Sequence, residues 1–277
     1  EYATSGINGI YDQIKALEWV RDNIANFGGD PSRVTIAGES AGGFSVSTIL
    51  GSERAQGLFH RAILQSGAAH HTLEKSVGQI VSDLLIEELG AASIEELNLR
   101  SPLDILKAQD RVDLRYNKMG IGNGVQAFYP VEENEILSKP LRESIKSGTG
   151  SNIPVLIGTN KDENTLFEMK EISFEKLFHR AEAYGNASLV GAYKALFPDA
   201  SETEIAIELA TDFTFKIPAI RFAEDRVALE GETWMYQFDW ESRASNLKAT
   251  HALEIPFVFN TLESPGVAAF IGEGELP

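Results

Sequence analysis

The stretch V-T-I-A-G-E-S-A-G-G at Val34–Gly43 constrains the fold more than any other part of the 277-residue chain. Its first four residues are apolar and mostly β-branched, which is typical of a buried strand. Ser40 follows within G-x-S-x-G, and the residues from Ala41 onward read as a helix. This order predicts a strained serine whose hydroxyl stands above a sheet, near the positive end of a helix. Such a serine is a candidate nucleophile; the alternative is a glycine-rich turn with an incidental serine.

The charge and the missing cysteines exclude several classes of protein. The chain has 41 acidic residues against 24 lysines and arginines, a formal net charge of −17. Such a surface repels phosphate backbones and anionic lipid, so we expect neither a nucleic-acid nor a membrane partner. No apolar run reaches the roughly 18 residues of a membrane span. Cysteine is absent, which excludes disulfides, thiolate zinc sites and a cysteine nucleophile, and indicates a reducing compartment, the cytoplasm.

Predicted strands and helices alternate along the chain. Short apolar runs predict three further strands, at Arg61–Ser66, Ile153–Gly158 and the aromatic stretch Thr233–Trp240. Apolar residues at helical spacing predict a helix that begins at Asn8 or Asp12 and ends at Asn26, and further helices over Phe174–Tyr184, Leu189–Leu196 and Glu202–Thr211. The alternation predicts an α/β fold in which a mostly parallel central sheet is flanked by helices. We expect residues 1–277 to form a single, incomplete domain of this kind.

Residues 74–118 predict a helical insertion within that domain. An amphipathic stripe ends at Gly90, Ser93 and Glu96 have the spacing of a capping box, and Pro102 opens another helix. A helical insertion between strands is typical of a lid over an active site. Plain packing of helices against the sheet is an equal alternative.

Three predicted strand ends carry residues suited to nucleophilic catalysis, and active residues of open α/β sheets lie at such ends. Ser40 follows the first strand, and Asp162 and Glu163 follow the strand that includes Val155–Gly158. His251 lies in the loop after the aromatic strand, before an apolar, strand-like run at Ile255–Phe259. The order serine, acid, histidine is that of an α/β-hydrolase.

The histidine of this set is the base that takes the serine proton, because imidazole exchanges protons near neutrality. His251 alone has the required order and a loop setting. The other four histidines flank the second strand without a suitable acid or lie in a helical pattern (His60, His70, His71 and His179). The acid orients the histidine. Spacing does not choose between Asp162 and Glu163, because adjacent side chains point in different directions.

Four stretches together resemble the type B carboxylesterase family, relatives of the cholinesterases. They are G-E-S-A-G-G with the preceding F-G-G-D-P-S-R-V-T-I, N-G-I-Y-D-Q-I-K-A-L-E-W-V at Asn8–Val20, G-T-N-K-D-E at Gly158–Glu163, and H-A-L-E-I-P-F-V-F at His251–Phe259. The resemblance implies an α/β-hydrolase fold and hydrolysis of a small-molecule carboxylic ester through an acyl-enzyme, without metal or cofactor. It assigns Ser40 as nucleophile, Glu163 as acid and His251 as base, and leaves Asp162 as a structural loop carboxylate.

The oxyanion hole is only partly represented in the sequence. The backbone N–H of Ala41 supplies one donor, while the other donors of the family come from an H-G-G-type loop that nothing before Ser40 matches. The resemblance therefore implies that an N-terminal segment of the same protein completes the fold, and that a C-terminal helical region is also lacking. The strand Val34–Ala37 is then an exposed edge that favours association. Ala252 and Asn260 stand where the family usually has glycine.

Residues of the substrate pocket are suggested by the resemblance and by their apolar character. Leu166 and Phe167 match positions that line the substrate gorge of the family. Four further aromatic residues are candidate pocket walls, with packing in the core as an equal alternative for each (Phe44, Phe213, Phe215 and Trp240). Two other functions remain open: a catalytically silent, cholinesterase-like binding module, and an amidase or thioesterase that uses the same triad.

Overall fold

Four parallel strands form the sheet of this protein. The computed structural model describes residues 5–121, 125–167, 187–244 and 246–275. The strands are β1 (Thr35–Glu39), β2 (Arg61–Gln65), β3 (Val155–Asn160) and β4 (Thr233–Phe238), and they lie side by side in that order. All three pairings are parallel. The four predicted strands are confirmed, with ends that differ from the prediction by two residues or fewer.

Helices occupy most of the remaining described chain. Their bounds are α1 Asn8–Asn23, α2 Ala41–Leu50, α3 Lys75–Leu89, α4 Ile94–Asn98, α5 Pro102–Met119, α6 Leu141–Lys146, α7 Ala187–Leu196, α8 Glu202–Thr211, α9 Ile217–Val227, α10 Ile255–Val258 and α11 Ala268–Ile271. A π-helical turn, Asp212–Lys216, joins α8 to α9. The helices predicted over Leu189–Leu196 and Glu202–Thr211 are confirmed. The helix predicted over Phe174–Tyr184, with His179, falls outside the described residues.

Two predicted elements differ from the structure. The apolar run Ile255–Phe259 is not a strand, because it forms the short helix α10 instead. Pro256 lies in its first turn, where a missing N–H leaves no hydrogen bond broken, and the Glu254 carbonyl accepts from Val258 at 2.9 Å. The first helix ends at Asn23 rather than Asn26, since the chain tightens into a 3₁₀ turn over Ile24–Phe27.

The predicted insertion contains α3, α4 and α5, and α3 packs against α5. A small core of its own, which includes Leu84, Val112 and Tyr116, lies beneath these helices. The predicted capping box is half formed. Ser93 accepts from the N–H of Glu96 at 3.3 Å, but the Glu96 carboxylate accepts from the N–H of Ala92 rather than from that of Ser93. In the part of the chain that the structure describes, no helix has the length and apolarity needed to cross a bilayer.

The two faces of the sheet differ in burial. One face contributes fully or largely buried side chains to the main core (Ile36, Leu64, Val155 and Ile157). On the other face, side chains at paired positions of the four strands form a row across the sheet and are more exposed (Ala37, Ile63, Leu156 and Trp234). Trp234, at the end of this row, is 55 % exposed. Strand β1 has a single neighbour among the described strands. The association predicted for this edge stays a prediction.

Candidate active site

Ser40 lies at the sharp bend between β1 and α2. Its backbone has φ 56° and ψ −121°, a conformation that costs a non-glycine residue about 1–3 kcal/mol. Hydrogen bonds hold the bend: the Ser40 N–H donates to the Gln65 carbonyl, and the Ser40 carbonyl accepts from the Phe44 N–H, each at 2.9 Å. A Cβ on Gly38 would lie 2.2 Å from the carbonyl carbon of Gly42, so the chain can fold this tightly only with glycine at position 38. A Cβ on Gly42 would meet no described atom within 4 Å.

Ala41 is the first residue of α2 and sits directly after this bend. The first N–H groups of a helix have no partner within the helix, and they lie at the positive end of its dipole. The Ala41 side chain is exposed. The backbone N–H of Ala41 is therefore available to an anion that forms beside the Ser40 hydroxyl.

Glu163 begins a 3₁₀ turn after β3 and is completely buried. Its Oε1 accepts hydrogen bonds from the Ser66 hydroxyl at 2.6 Å and from the Asn160 N–H at 2.7 Å. Its Oε2 lies 2.5 Å from Nδ1 of His251. These contacts hold the carboxylate in one orientation, with one oxygen fixed by the sheet and the other facing the imidazole.

Asp162 holds the loop that carries His251. Its N–H donates to the Ala249 carbonyl at 2.9 Å, and its Oδ2 accepts from the Ala249 N–H at 3.2 Å. The Asp162 carbonyl also accepts from the Thr165 hydroxyl at 2.7 Å. Burial raises the pKa of the Asp162 carboxyl. The structure thus gives the two adjacent carboxylates different surroundings, and of the two only Glu163 contacts the imidazole ring.

Nε2 of His251 lies 3.1 Å from Oε1 of Glu39, the residue before Ser40. Within the described chain, Nε2 has no hydrogen bond of acceptable geometry, including one to Ser40. Such bonds are often long before a substrate binds. Burial lowers the pKa of His251, but the hydrogen bond and charge of Glu163, with the charges of Glu39 and Glu254, outweigh it and raise this pKa above its ordinary 6.5.

A buried polar network lies behind the pair of Glu163 and His251. Oε1 of Glu254 accepts from the Gln65 amide at 3.0 Å, and Oε2 accepts from the Asn160 amide at 2.6 Å. The same Asn160 amide donates to the Thr250 carbonyl at 2.7 Å. The network ties the ends of β2 and β3 to the residues around His251, so it fixes the position of this loop relative to the sheet.

Aromatic rings surround the imidazole. The ring centroids of Phe215 and Phe167 lie 4.9 Å and 5.2 Å from that of His251, and Phe44 is 6.3 Å from Phe215. Phe215 belongs to the π-helical turn, a local distortion that changes which side chains face inward. Trp240 instead packs on Phe257, with centroids 5.0 Å apart. Of the other two residues suggested for the pocket, Leu166 is half-buried and Phe213 is 42 % exposed.

Comparison with known proteins identifies the family. The sequence profile of the Carboxylesterase family matches residues 2–273. The chain belongs to the carboxylesterase family. A para-nitrobenzyl esterase of Bacillus subtilis (strain 168) is 37 % identical over 262 residues, which cover 92 % of this chain and 52 % of that protein. A phenmedipham hydrolase of Pseudarthrobacter oxydans is 32 % identical, over 91 % of this chain and 52 % of that protein.

Solved structures of the family share the fold. A carboxylesterase of Geobacillus stearothermophilus superposes with a TM-score of 0.79 at 33 % sequence identity, over 96 % of this chain and 55 % of that one. The predicted α/β-hydrolase fold is therefore confirmed. The chain spans about half the length of the curated relatives that it matches.

Sequence reasoning missed the residues that hold the candidate active site in place. Ser66 directly follows β2 and has φ 50°, and the signal available in the sequence was a polar residue at the carboxyl end of a predicted strand. Asn160 ends β3 in the same way. Glu39 and Glu254 flank Ser40 and His251 in sequence, but whether their side chains turn toward the imidazole depends on packing between distant segments.

The two positions where the family usually has glycine both have left-handed backbones, φ 64° at Ala252 and φ 52° at Asn260. Alanine in this region costs roughly 1–2 kcal/mol, whereas asparagine tolerates it. We expect Ala252→Gly to raise the free energy of unfolding by about 0.5–1 kcal/mol, less than the full strain because glycine loses more backbone entropy. Denaturant unfolding measures this, with Asn260→Gly as the matched variant of smaller effect. If Ala252→Gly had a lower free energy of unfolding than the parent, the backbone at Ala252 would not be strained.

The Glu39 carboxyl makes the stability of the protein depend on pH. Burial raises its pKa to about 7 from an ordinary value near 4.5, with the charges of Glu254 and Glu163 adding and His251 opposing. The folded state therefore binds the Glu39 proton more tightly than the unfolded state, and the parent loses stability as the pH rises from about 4.5 to about 7. We expect Glu39→Gln, which cannot ionise, to be more stable than the parent above pH ~7 by about 1–3 kcal/mol.

Thermal unfolding from pH 4 to pH 9 tests this expectation. The difference in stability between Glu39→Gln and the parent should increase as the pH rises and should vanish below about pH 4.5, where the carboxyl is protonated in both the folded and the unfolded state. Glu53→Gln is a control outside the active site, in the short turn Glu53–Ala55. A stability difference that is the same at every pH would show that the substitution acts through packing and not through charge.

Proposed function

We propose that this chain carries the catalytic triad of a carboxylic ester hydrolase, with Ser40 as nucleophile, His251 as base and Glu163 as the acid that orients it. The observation that supports this best is the buried contact of 2.5 Å between Glu163 and His251. The far side of the same imidazole faces Glu39, the neighbour of a serine held at a strained bend. Membership in the carboxylesterase family supports the same reaction.

The first half of the reaction forms an acyl-enzyme. The Ser40 Oγ attacks the carbonyl carbon of the ester while Nε2 of His251 takes the hydroxyl proton. The carbonyl electrons move to the oxygen, and the N–H of Ala41 donates to this oxyanion. The tetrahedral intermediate then reforms its carbonyl, the bond to the alcohol oxygen breaks, and the Nε2 proton passes to the leaving alcohol.

Water repeats the sequence on the acyl-enzyme, with His251 again as the base, and releases the acid and free Ser40. Glu163, held in place by its three hydrogen bonds, stabilises the imidazolium of each step without accepting its proton. No step in this scheme draws on a metal or a cofactor. The scheme requires that Nε2 turn from Glu39 toward the Ser40 hydroxyl when a substrate binds.

A fluorophosphonate probe tests the proposal directly, because it reacts covalently with activated serines. We expect mass spectrometry of the folded chain to find the label on Ser40, and none after denaturation. Turnover of matched ester, amide and thioester substrates should be fastest for the ester. If Ser40 stays unlabelled and no ester is hydrolysed even when the chain is produced with the N-terminal segment expected to supply the other oxyanion donors, a binding module is favoured. Faster turnover of the amide or thioester would reassign the reaction.

A further inference from the structure

Two adjacent histidines that the triad does not use lie beside this site. His70 and His71 follow β2, and the ring of His71 stacks on Phe44, with centroids 3.6 Å apart and planes at 24°. The two imidazoles meet edge to face at 3.9 Å. Phe44 belongs to the first turn after Ser40, whose carbonyl accepts its N–H. We call His70, His71 and Phe44 the histidine cluster.

Aromatic contacts connect the histidine cluster to the catalytic imidazole. Phe215 is near-parallel to Phe44 at 6.3 Å and lies 4.9 Å from His251. On the opposite side, Tyr129 lies 5.4 Å from His71. The rings thus form a continuous row from His251 to Tyr129, along one side of the bend that carries the nucleophile. Phe44 links this row to the nucleophile, because its N–H donates to the Ser40 carbonyl at 2.9 Å.

The imidazoles carry hydrogen-bonding atoms that the described protein does not use. Nδ1 of His71 is buried and has no hydrogen bond to described residues, and the buried ring nitrogens of His70 have at most a poorly aligned one, to the Thr214 backbone. His71 is 7 % exposed. Burial lowers the pKa of His70 to about 4, against a smaller opposing effect of the Thr214 backbone, and burial also lowers the pKa of His71. Both rings are therefore neutral at pH 7, and each has one N–H donor.

Buried polar atoms without partners are uncommon in native proteins, because each costs free energy unless something binds it. The surroundings favour an uncharged occupant, since the neutral imidazoles are packed among aromatic rings and the chain has a formal net charge of −17. An ionised carboxylate would be repelled by that charge and would lose its hydration. A neutral oxygen or nitrogen that accepts a hydrogen bond meets neither penalty.

We propose that the histidine cluster recognises an uncharged hydrogen-bond acceptor of the ester substrate, with an N–H of His70 or His71 as the donor. This inference rests on the proposed function and names the class of ester that the site prefers: neutral esters with a polar, uncharged acceptor close to the scissile bond. Esters that are purely apolar at that position leave the imidazoles unpaired.

Two pairs of nearly isosteric esters test this preference, one for each side of the scissile bond. On the acyl side, p-nitrophenyl methoxyacetate replaces one methylene of p-nitrophenyl butanoate by an ether oxygen. On the alcohol side, 4-pyridylmethyl acetate replaces one ring C–H of benzyl acetate by nitrogen. Each value of kcat/KM is divided by the rate constant of hydroxide hydrolysis of the same ester. We expect the parent chain to prefer the acceptor-bearing member of at least one pair by about 10-fold, the value of one hydrogen bond.

His71→Phe keeps a flat ring against Phe44 and removes the nitrogens, so it should lower the ratio of the two kcat/KM values within that pair about 10-fold. His71→Gln, which keeps a donor and an acceptor, should retain part of the preference. His60→Gln, at the opposite end of β2, serves as the control. The proposal is wrong if His71→Phe lowers kcat/KM equally for both esters of a pair. It is also wrong if the parent prefers the acceptor-bearing ester in neither pair.

Binding without turnover separates this inference from the proposed reaction. In Ser40→Ala, the imidazole nitrogen-15 resonances of His70 or His71 should shift on addition of 4-pyridylmethyl acetate and less on addition of benzyl acetate, or likewise for the acyl pair. If, in each of the two pairs, both esters shift these nitrogen-15 resonances equally, the histidine cluster does not recognise the acceptor. Ester hydrolysis that persists in Ser40→Ala rejects the proposed nucleophile and leaves the binding result standing.

Discussion

Replacing Ser40 with alanine is expected to lower kcat for p-nitrophenyl butanoate by up to about a million-fold, the loss that follows removal of a triad nucleophile. Alanine keeps the Cβ and the backbone of the bend, so the Glu163–His251 contact and the Ala41 N–H stay in place. Any rate that remains above the hydroxide background comes from the oxyanion donor and from substrate binding. The measurement is kcat over a range of enzyme concentrations, with active-site titration by the fluorophosphonate probe.

Ser45→Ala is the matched control, because this serine lies one turn further along α2 and its hydroxyl donates to the Ala41 carbonyl at 2.9 Å. The kcat of Ser45→Ala should stay within about 3-fold of the parent value. A Ser40→Gly variant separates strain from chemistry: it should be as inactive as Ser40→Ala, yet more stable by about 1 kcal/mol because glycine tolerates the positive φ. Retained activity in Ser40→Ala, or equal losses in Ser45→Ala, would show that Ser40 is not the nucleophile.

The parts of the fold that sequence reasoning predicted well are those with local signals. The strand before Ser40 and the helix after it follow from a β-branched run, a glycine that the bend requires, and an apolar helix of ten residues. The helix starts at Pro102 and Glu202 were likewise predicted, and in the structure each follows a serine whose side chain accepts the N–H of the residue three positions on. Such features depend on neighbours within one turn of the chain.

The parts that it missed depend on contacts between distant segments. Ile255–Phe259 has the composition of a strand, but the sheet ends at β4 among the described strands and Pro256 suits a first helical turn. The π-helical turn that sets Phe215 against His251 has no sequence signature. The Ser66 hydroxyl reaches Glu163 across 97 positions in sequence, so only the parallel alignment of β2 with β3 brings the two together.

Replacing Glu163 with glutamine is expected to lower kcat by about 10,000-fold, although the two side chains have nearly the same shape. The reason lies in the hydrogen bonds of the carboxylate. Its Oε1 accepts from the Ser66 hydroxyl and the Asn160 N–H, so the glutamine oxygen takes that position and its NH₂ group faces Nδ1 of His251. A donor at Nδ1 forces the proton of neutral imidazole onto Nε2, which then cannot accept the Ser40 proton.

Asp162→Asn provides the matched control, since it makes the same change in the adjacent residue. The asparagine side chain would still present an oxygen to the Ala249 N–H, the bond that Asp162 Oδ2 forms at 3.2 Å, so kcat should stay within about 5-fold of the parent. The comparison decides between the two acids that sequence spacing left open. A large loss in Asp162→Asn with near-normal turnover in Glu163→Gln would reverse the assignment, because the buried contact at Nδ1 would then be structural and the catalytic orientation of His251 would come from the loop.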